Sequence, residues 1–180
     1  IITLQNDLAM SSGRSFTVNA TARLNLGTKT ISGAGSTFAL LANGTIDIGH
    51  QDGIVAIAGG NNGNIQTATR TLNLAGHYIY SGTDGQVTGS ALATGITGSI
   101  TVNLSDGGNL TLTNAGTNTI GKNGRLIIMK GTLANAASFI SDVTTLEYAG
   151  SQAQTTNSFE FPVTNGPRHL VINNSHSDGV

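Results

Sequence analysis

A short segment of the form aliphatic–polar–aliphatic recurs along the whole chain and limits what it can fold into. It reads ITLQN from Ile2, LNLG from Leu24, IDIG from Ile46, LNLAG from Leu72, ITVNL from Ile100, LIIM from Leu126, LEYAG from Leu146 and LVINN from Leu170. The steps between these starts are 22, 22, 26, 28, 26, 20 and 24 residues. A self-similar period of this length is the signature of a repeat architecture. Stacking the segments gives two aliphatic columns. One holds Ile2, Leu24, Ile46, Leu72, Ile100, Leu126, Leu146 and Leu170. The other, two residues on, holds Leu4, Leu26, Ile48, Leu74, Val102, Ile128, Tyr148 and Ile172. Alternate side chains of a strand face opposite ways, so both columns point inward and the residues between them outward. That outward column runs Thr3, Asn25, Asp47, Asn73, Thr101, Ile127, Glu147 and Val171. Gly, Ala or Asn follows most segments, as a tight corner requires.

A period near 24 fits three strands of ~5 residues and three short corners, one coil of a β-solenoid whose coils stack at ~4.8 Å. The expected fold is therefore all-β: a parallel β-helix of about eight coils of 20–28 residues, formed by residues 1–180 as a single segment. An antiparallel sandwich would also show short strands and frequent turns. The column alignment argues against it, as does the scarcity of hairpin turns; Asn43-Gly44 and Asn123-Gly124 are the exceptions. Thr132–Thr145 has helical spacing at Leu133, Ala136, Ile140 and Val143, which leaves a short helix open beside a loop or irregular strand.

Composition supports a coil built on backbone ladders. Charged residues are 9% of the chain, against ~25% in an average domain, while 25 of 180 residues are Gly. With 38% apolar residues the chain has enough core material to fold. Net charge is −1, with eight basic residues spread throughout, so no nucleic-acid or anionic-lipid footprint is present. No apolar run reaches the ~20 residues of a membrane span. There is no Cys for a disulfide frame or thiolate metal site. The start at Ile1, with no initiator Met or signal-like segment, suggests a mature or excised piece of a longer protein.

A longer repeat lies above the coil period, approximately at residues 80–105 and 148–175. Tyr80-Ser-Gly82-Thr-Asp-Gly-Gln86 returns as Tyr148-Ala-Gly150-Ser-Gln-Ala-Gln154, and ITVNLS at Ile100 returns as LVINNS at Leu170. The pattern Y-x-G-x-x-x-Q, a Pro- or Gly-containing turn, then L-x-I-N-N resembles the repeats of very large secreted surface proteins of the Bacteroidetes group. LEYAGSQAQ followed by FEFPVTNGPRHLVINNS carries the likeness best; the first copy departs, with Gly95 in place of Pro162 and VNL in place of INN. The resemblance implies a right-handed parallel β-helix, type IX secretion and an adhesin-like role at the bacterial surface; it specifies fold more strongly than role.

β-Solenoids also host polysaccharide lyases and hydrolases, which need carboxylates ~5–9 Å apart. The acids here are Asp7, Asp47, Asp52, Asp84, Asp106, Asp142, Glu147, Glu160 and Asp178, and no column places two side by side. Asp84 and Asp106 sit in Gly-rich corners, where Asp bonds its own backbone. The histidines, His50, His77, His169 and His176, form no zinc pattern; His50 with Asp52 reads as an exposed corner pair. GGNNGN at 59–64 lacks the Asp of a calcium coil. No nucleophile elbow or phosphate loop occurs. Tyr78 and Tyr80 could stack on sugar, but the repeat match of Tyr80 with Tyr148 favours packing against the coil. Thr28–Thr30 and Thr111–Thr113 do not recur in register, as a lattice-binding face would require.

No catalytic, cofactor or metal residue is therefore expected. The expected role is that of a non-enzymatic structural or adhesive shaft segment of an extracellular, fibre-forming bacterial protein. Its partners would be solenoid coils of the same chain or another copy, head to tail, and cell-surface glycans, not nucleic acid or membrane. The alternative is a polysaccharide-binding or polysaccharide-degrading module on the same scaffold.

Overall fold

The computed structural model describes residues 1–56, 62–105, 107–113, 119–140 and 143–178. The described residues contain fifteen strands and no helix. Eight strands form one sheet, in order β1 (Ile2–Thr3), β4 (Arg23–Gly27), β6 (Thr45–Ile48), β8 (His77–Tyr80), β10 (Ser99–Asn103), β12 (Arg125–Lys130), β14 (Thr145–Tyr148) and β15 (His169–Ile172). Every pairing in it is parallel. Shorter sheets complete the coil. In the first half β2 (Leu8–Ala9) and β3 (Ser15–Val18) pair with β5 (Ile31–Leu40), which pairs in turn with β7 (Ile65–Leu72). In the second half β9 (Gln86–Val87), β11 (Asn109–Thr111) and β13 (Thr132–Leu133) form a separate sheet. The molecule is thus a β-solenoid of about seven turns.

The register confirms the first inward column with one correction; in the second a bulge pairs Ile48 with Gly27 in place of Leu26, although Leu26 is still buried. Ile2 pairs with Leu24, Leu24 with Ile46, and Ile100 with Leu126, Leu146 and Leu170 in succession. The fourth member is Tyr78, not Leu72. Leu72 ends β7, where it pairs with Leu40 on the other sheet. Asn73, expected outward on a strand, instead makes the corner: its side chain accepts from Ala75 N at 2.9 Å and its carbonyl from Gly76 N at 2.9 Å. Leu74 is accordingly exposed and Tyr80 takes its place in the second column. The coil from Ile46 to Tyr78 therefore spans 32 residues, beyond the expected range, because it carries the eight-residue β7 and the segment before it.

The inward residues form one core. Leu24, Ile46, Tyr78, Ile100, Leu126 and Leu146 are buried in one column, and Ile48, Tyr80, Val102, Ile128 and Tyr148 in the next. On the second sheet Phe16 stacks on Phe38 with ring centroids 6.0 Å apart. Burying each aliphatic side chain contributes ~1.5–3 kcal/mol relative to exposure, which is what sets the register. Asn43 and Asn123, at φ 59° and 65°, turn corners between parallel strands and not hairpins. Thr132–Leu133 begins the stretch of helical spacing as a strand, Thr145 ends it as the first residue of β14, and the described residues between are irregular.

Candidate functional site

Chemistry on a rod of this kind must lie on an outward face, at a corner or at an end. On the outward face of the eight-stranded sheet Asp47 and Glu147 share one column, in the order Asp47, Ile79, Thr101, Ile127, Glu147. Ile79, not Asn73, is thus the neighbour of Asp47. Four strand spacings separate the two acids, about 19 Å, roughly twice the widest gap a carboxylate pair spans in glycoside hydrolysis. Each is instead covered by an arginine from the preceding coil. Arg23 Nη2 lies 2.7 Å from Asp47 Oδ2, and Ser81 Oγ donates to Asp47 Oδ1. Arg125 Nη2 pairs with Glu147 Oε2. The acids are left 4% and 6% exposed, so the arginines screen them from solvent. Between the pairs, His77 Nδ1 lies 3.0 Å from Ser99 Oγ; burial, then the charge of Arg125, holds its pKa below the ordinary imidazole value.

Of the remaining described carboxylates, Asp7 and Asp84 are engaged between coils, whereas Asp52 and Asp178 stay exposed at corners. Asp7 accepts from Thr30 N at 2.9 Å and Asp84 from Asn109 N at 3.0 Å, each tying one coil to the next. His50 Nδ1 accepts from Asp52 N at 3.1 Å, and His176 Nδ1 from Asp178 N at the same distance, with the carboxylate at 3.8 Å in both corners. Neither corner adds a third ligand: among the described residues no three His, Asp or Glu gather as a metal site would need. Asp106, Asp142 and residues 59–61 of the GGNNGN stretch lie outside the described residues.

The tyrosines lie inside. Tyr78 and Tyr80 are fully buried, with hydroxyls donating to Asn73 O at 2.7 Å and Thr88 O at 3.1 Å, and burial raises both pKa values. Thr113 is likewise used internally, its hydroxyl accepting from Gly89 N at 3.1 Å.

The Y-x-G-x-x-x-Q motif is a corner bracket. Gln86 Oε1 accepts from Gly82 N at 2.9 Å, and its Nε2 donates to Ile48 O and His50 O on the preceding coil at 2.8 and 3.0 Å. Gln154 repeats this, accepting from Gly150 N at 3.3 Å and donating to Ile128 O at 2.9 Å. The Gly is required because a Cβ at Gly82 would stand 2.8 Å from Gly49 O and 2.9 Å from the Gln86 amide carbon. Tyr80 and Tyr148 lie three strands apart in one column, through Val102 and Ile128, so the longer repeat is three coils. Along this corner a hollow of about 520 Å³ is lined by Gly27, Gly49, His50, Ser81, Gly82 and Ser105, all small or polar.

One functional candidate escapes the column reading. Glu160 is fully buried, accepting from Tyr148 OH at 2.7 Å and from Leu133 N and Asn157 N at 3.3 Å. Desolvation pushes its carboxyl above the usual carboxylate range, against the opposing pull of these donors. Asn157 Nδ2 donates to Leu133 O at 3.1 Å. Two side chains thus occupy the outer edge of β13, where a further strand would otherwise pair. The sequence signal is the inversion in FEFPV, an acid between exposed Phe159 and Phe161.

The ends of the eight-stranded sheet complete the picture. The outer edges of β1 and β15 have no partner among the described residues. Ile2 is 66% exposed, Leu170 52% and Ile172 56%, whereas the same columns are almost completely buried in the inner coils. Comparison with known protein families, with characterised proteins and with solved structures found no match.

Proposed function

We propose that this chain is a rigid, non-enzymatic shaft segment of a bacterial extracellular surface or fibre-forming protein, acting in adhesion or as a stalk. The observation that supports it is the continuous parallel sheet, whose apolar columns emerge unpaired at both edges. Such edges are templates for more of the same strand. Solenoid coils, of the same chain or another copy, are the natural partners. Apart from Asp52 and Asp178, which stay exposed at their corners, the described carboxylates join coils or block an edge, which favours a scaffold over a catalyst. Cell-surface glycans are the ligand class for the adhesive role.

Immunogold labelling of intact, unpermeabilised cells that make the parent protein tests this reading. Label on filaments or stalks outside the cell is the expected result. Label confined to the cell interior, or polysaccharide cleavage by the purified chain, overturns it. A second reading, a polysaccharide-binding module, draws on the hollow lined by Ser81, Ser105 and His50. It predicts saturable binding on a glycan array that His50→Ala weakens by at least tenfold.

A further inference from the structure

On the second sheet Phe16 pairs with Phe38, and Phe38 pairs with Arg70 of the third coil. A guanidinium therefore takes a place that the two coils beneath give to an aromatic ring. Its Nη1 donates to Val55 O, while its Nε is buried without a partner among the described residues. The described ion pairs are those of Arg23, Arg125, His50 and His176, so none of the described acids balances Arg70. Residues 57–61, which follow Val55 and Ala56, read IAGGN and bring no acid by sequence either. Arg14 lies at the same corner in the first coil, beside Gly13, whose N donates to Gly35 O of the second. It is exposed and likewise has no ion pair among the described residues. Burial lowers the Arg70 pKa, as expected of a charge drawn from water without compensation. An uncompensated charge of this kind is costly to keep and marks a place where a counter-ion belongs.

A hollow adjoins Arg70 because the corner narrows from one coil to the next. Gly33 pairs with Thr67 and Thr37 with Thr69, so Ala34, Gly35 and Ser36 of the second coil face only Ala68 of the third. The wider corner stands out as a ledge. Against it lies a hollow of about 420 Å³, whose walls include Ser32, Ala34, Gln66, Thr67, Ala68 and Arg70. Gln66 Nε2 donates to Gly63 O at 3.0 Å and Thr67 Oγ1 to Thr69 O at 2.8 Å. Gln66 Oε1 and the Thr67 hydroxyl oxygen are left to accept. The walls belong to the second and third coils, with other coils of the chain on either side, so the hollow does not depend on the ends of the stack.

The volume is that of a small-ligand pocket, and its walls are neutral except for one cation. The planar fork of an arginine matches the two oxygens of a carboxylate, and hydroxyl and amide groups match those of a sugar ring. We propose that this hollow binds the carboxylate of an acidic sugar, with Arg70 holding the acid and Ser32, Gln66 and Thr67 meeting the ring hydroxyls. This names the glycan class of the adhesive role and rests on that reading.

The test uses the 180-residue chain and D-glucuronate as probe. D-glucuronamide serves as the neutral counterpart of the same shape, and acetate as a carboxylate without the sugar. In nitrogen–proton NMR spectra the Arg70 Nε–H signal is identified by its absence from Arg70→Lys. It should move saturably with glucuronate, and glucuronamide and acetate should each bind weaker by about tenfold or more. Ala68→Glu puts an acid at an exposed position in the same wall. It should keep the fold, checked by circular dichroism, and weaken glucuronate binding by about tenfold or more, as should Arg70→Met. Should Arg70→Met fail to fold, Ala68→Glu decides. No saturable shift, glucuronamide or acetate binding as tightly as glucuronate, or full binding by Ala68→Glu overturns the proposal. So does binding lost in His50→Ala and kept in Ala68→Glu, which would move it to the other hollow. None of these outcomes touches the shaft itself, which the cell-surface labelling decides separately.

Discussion

Gln86 and Gln154 satisfy backbone groups at a corner where no strand reaches them. Gln86 closes its own loop and holds two carbonyls of the coil beneath, all out of water. Leaving buried donors and acceptors unmade costs ~1–3 kcal/mol each. Gln86→Ala should therefore lower the unfolding free energy by on the order of 3 kcal/mol in a denaturant titration. Gln154→Ala should lower it by less, because Gln154 is only half-buried. Glu160 sets a different test. Its folded carboxyl binds a proton more tightly than the unfolded chain does, since burial raises its pKa above the ordinary carboxylate value. The folded state thus holds more protons between the two values, and stability falls as pH rises through that window. The contribution is fully present below the unfolded value and lost above the folded one. Glu160→Gln should flatten this part of the stability profile relative to the unsubstituted chain, measured by denaturation from pH 4 upward in small steps. An unchanged slope would mean that the carboxyl is not desolvated in solution.

Strands of the same composition are not equivalent here, because position in the stack decides what each one buries. Ile100 lies between Tyr78 and Leu126 and is fully buried, whereas among the described residues Leu170 has a strand neighbour on one side only. Ile100→Ala should cost ~2–5 kcal/mol, and Leu170→Ala below ~1 kcal/mol, in the same thermal or denaturant assay. The same dependence on neighbours explains how much could be read in advance. Leu24 over Ile46 follows from spacing, because the coil between them has no insertion. LNLAG at Leu72 carries the letters of LNLG at Leu24, but β7 is held in register by β5, and the next strand of the large sheet starts five residues later at His77. A period count cannot separate a strand from a corner that looks like one. The Arg23–Asp47 and Arg125–Glu147 pairs were visible in principle: each Arg opens its strand, and its acid is 24 or 22 residues on, one coil up and two positions along. Columns started at the first inward residue leave that position out. The Gln brackets show as a repeat in the sequence, but their contacts run to the preceding coil and need the winding itself to be known.

The whole molecule is a stack in which each coil touches chiefly its neighbours. Stability then grows with the number of adjoining coils and is lowest at the ends. Amide hydrogen exchange should show a gradient, with greatest protection in β6, β8, β10 and β12 and least in β1 and β15. Uniform protection from end to end would mean that the coils unfold as one block. The eight-stranded sheet is the only one of the three that runs the full height of the described molecule, the others changing partners midway. Tension applied along the axis would therefore fall on that ladder one rung after another, in the manner of a zip. Each released turn of 22 residues would pay out about 75 Å of slack. A tether built this way would yield in small, repeatable steps and spare whatever it anchors from a single abrupt load.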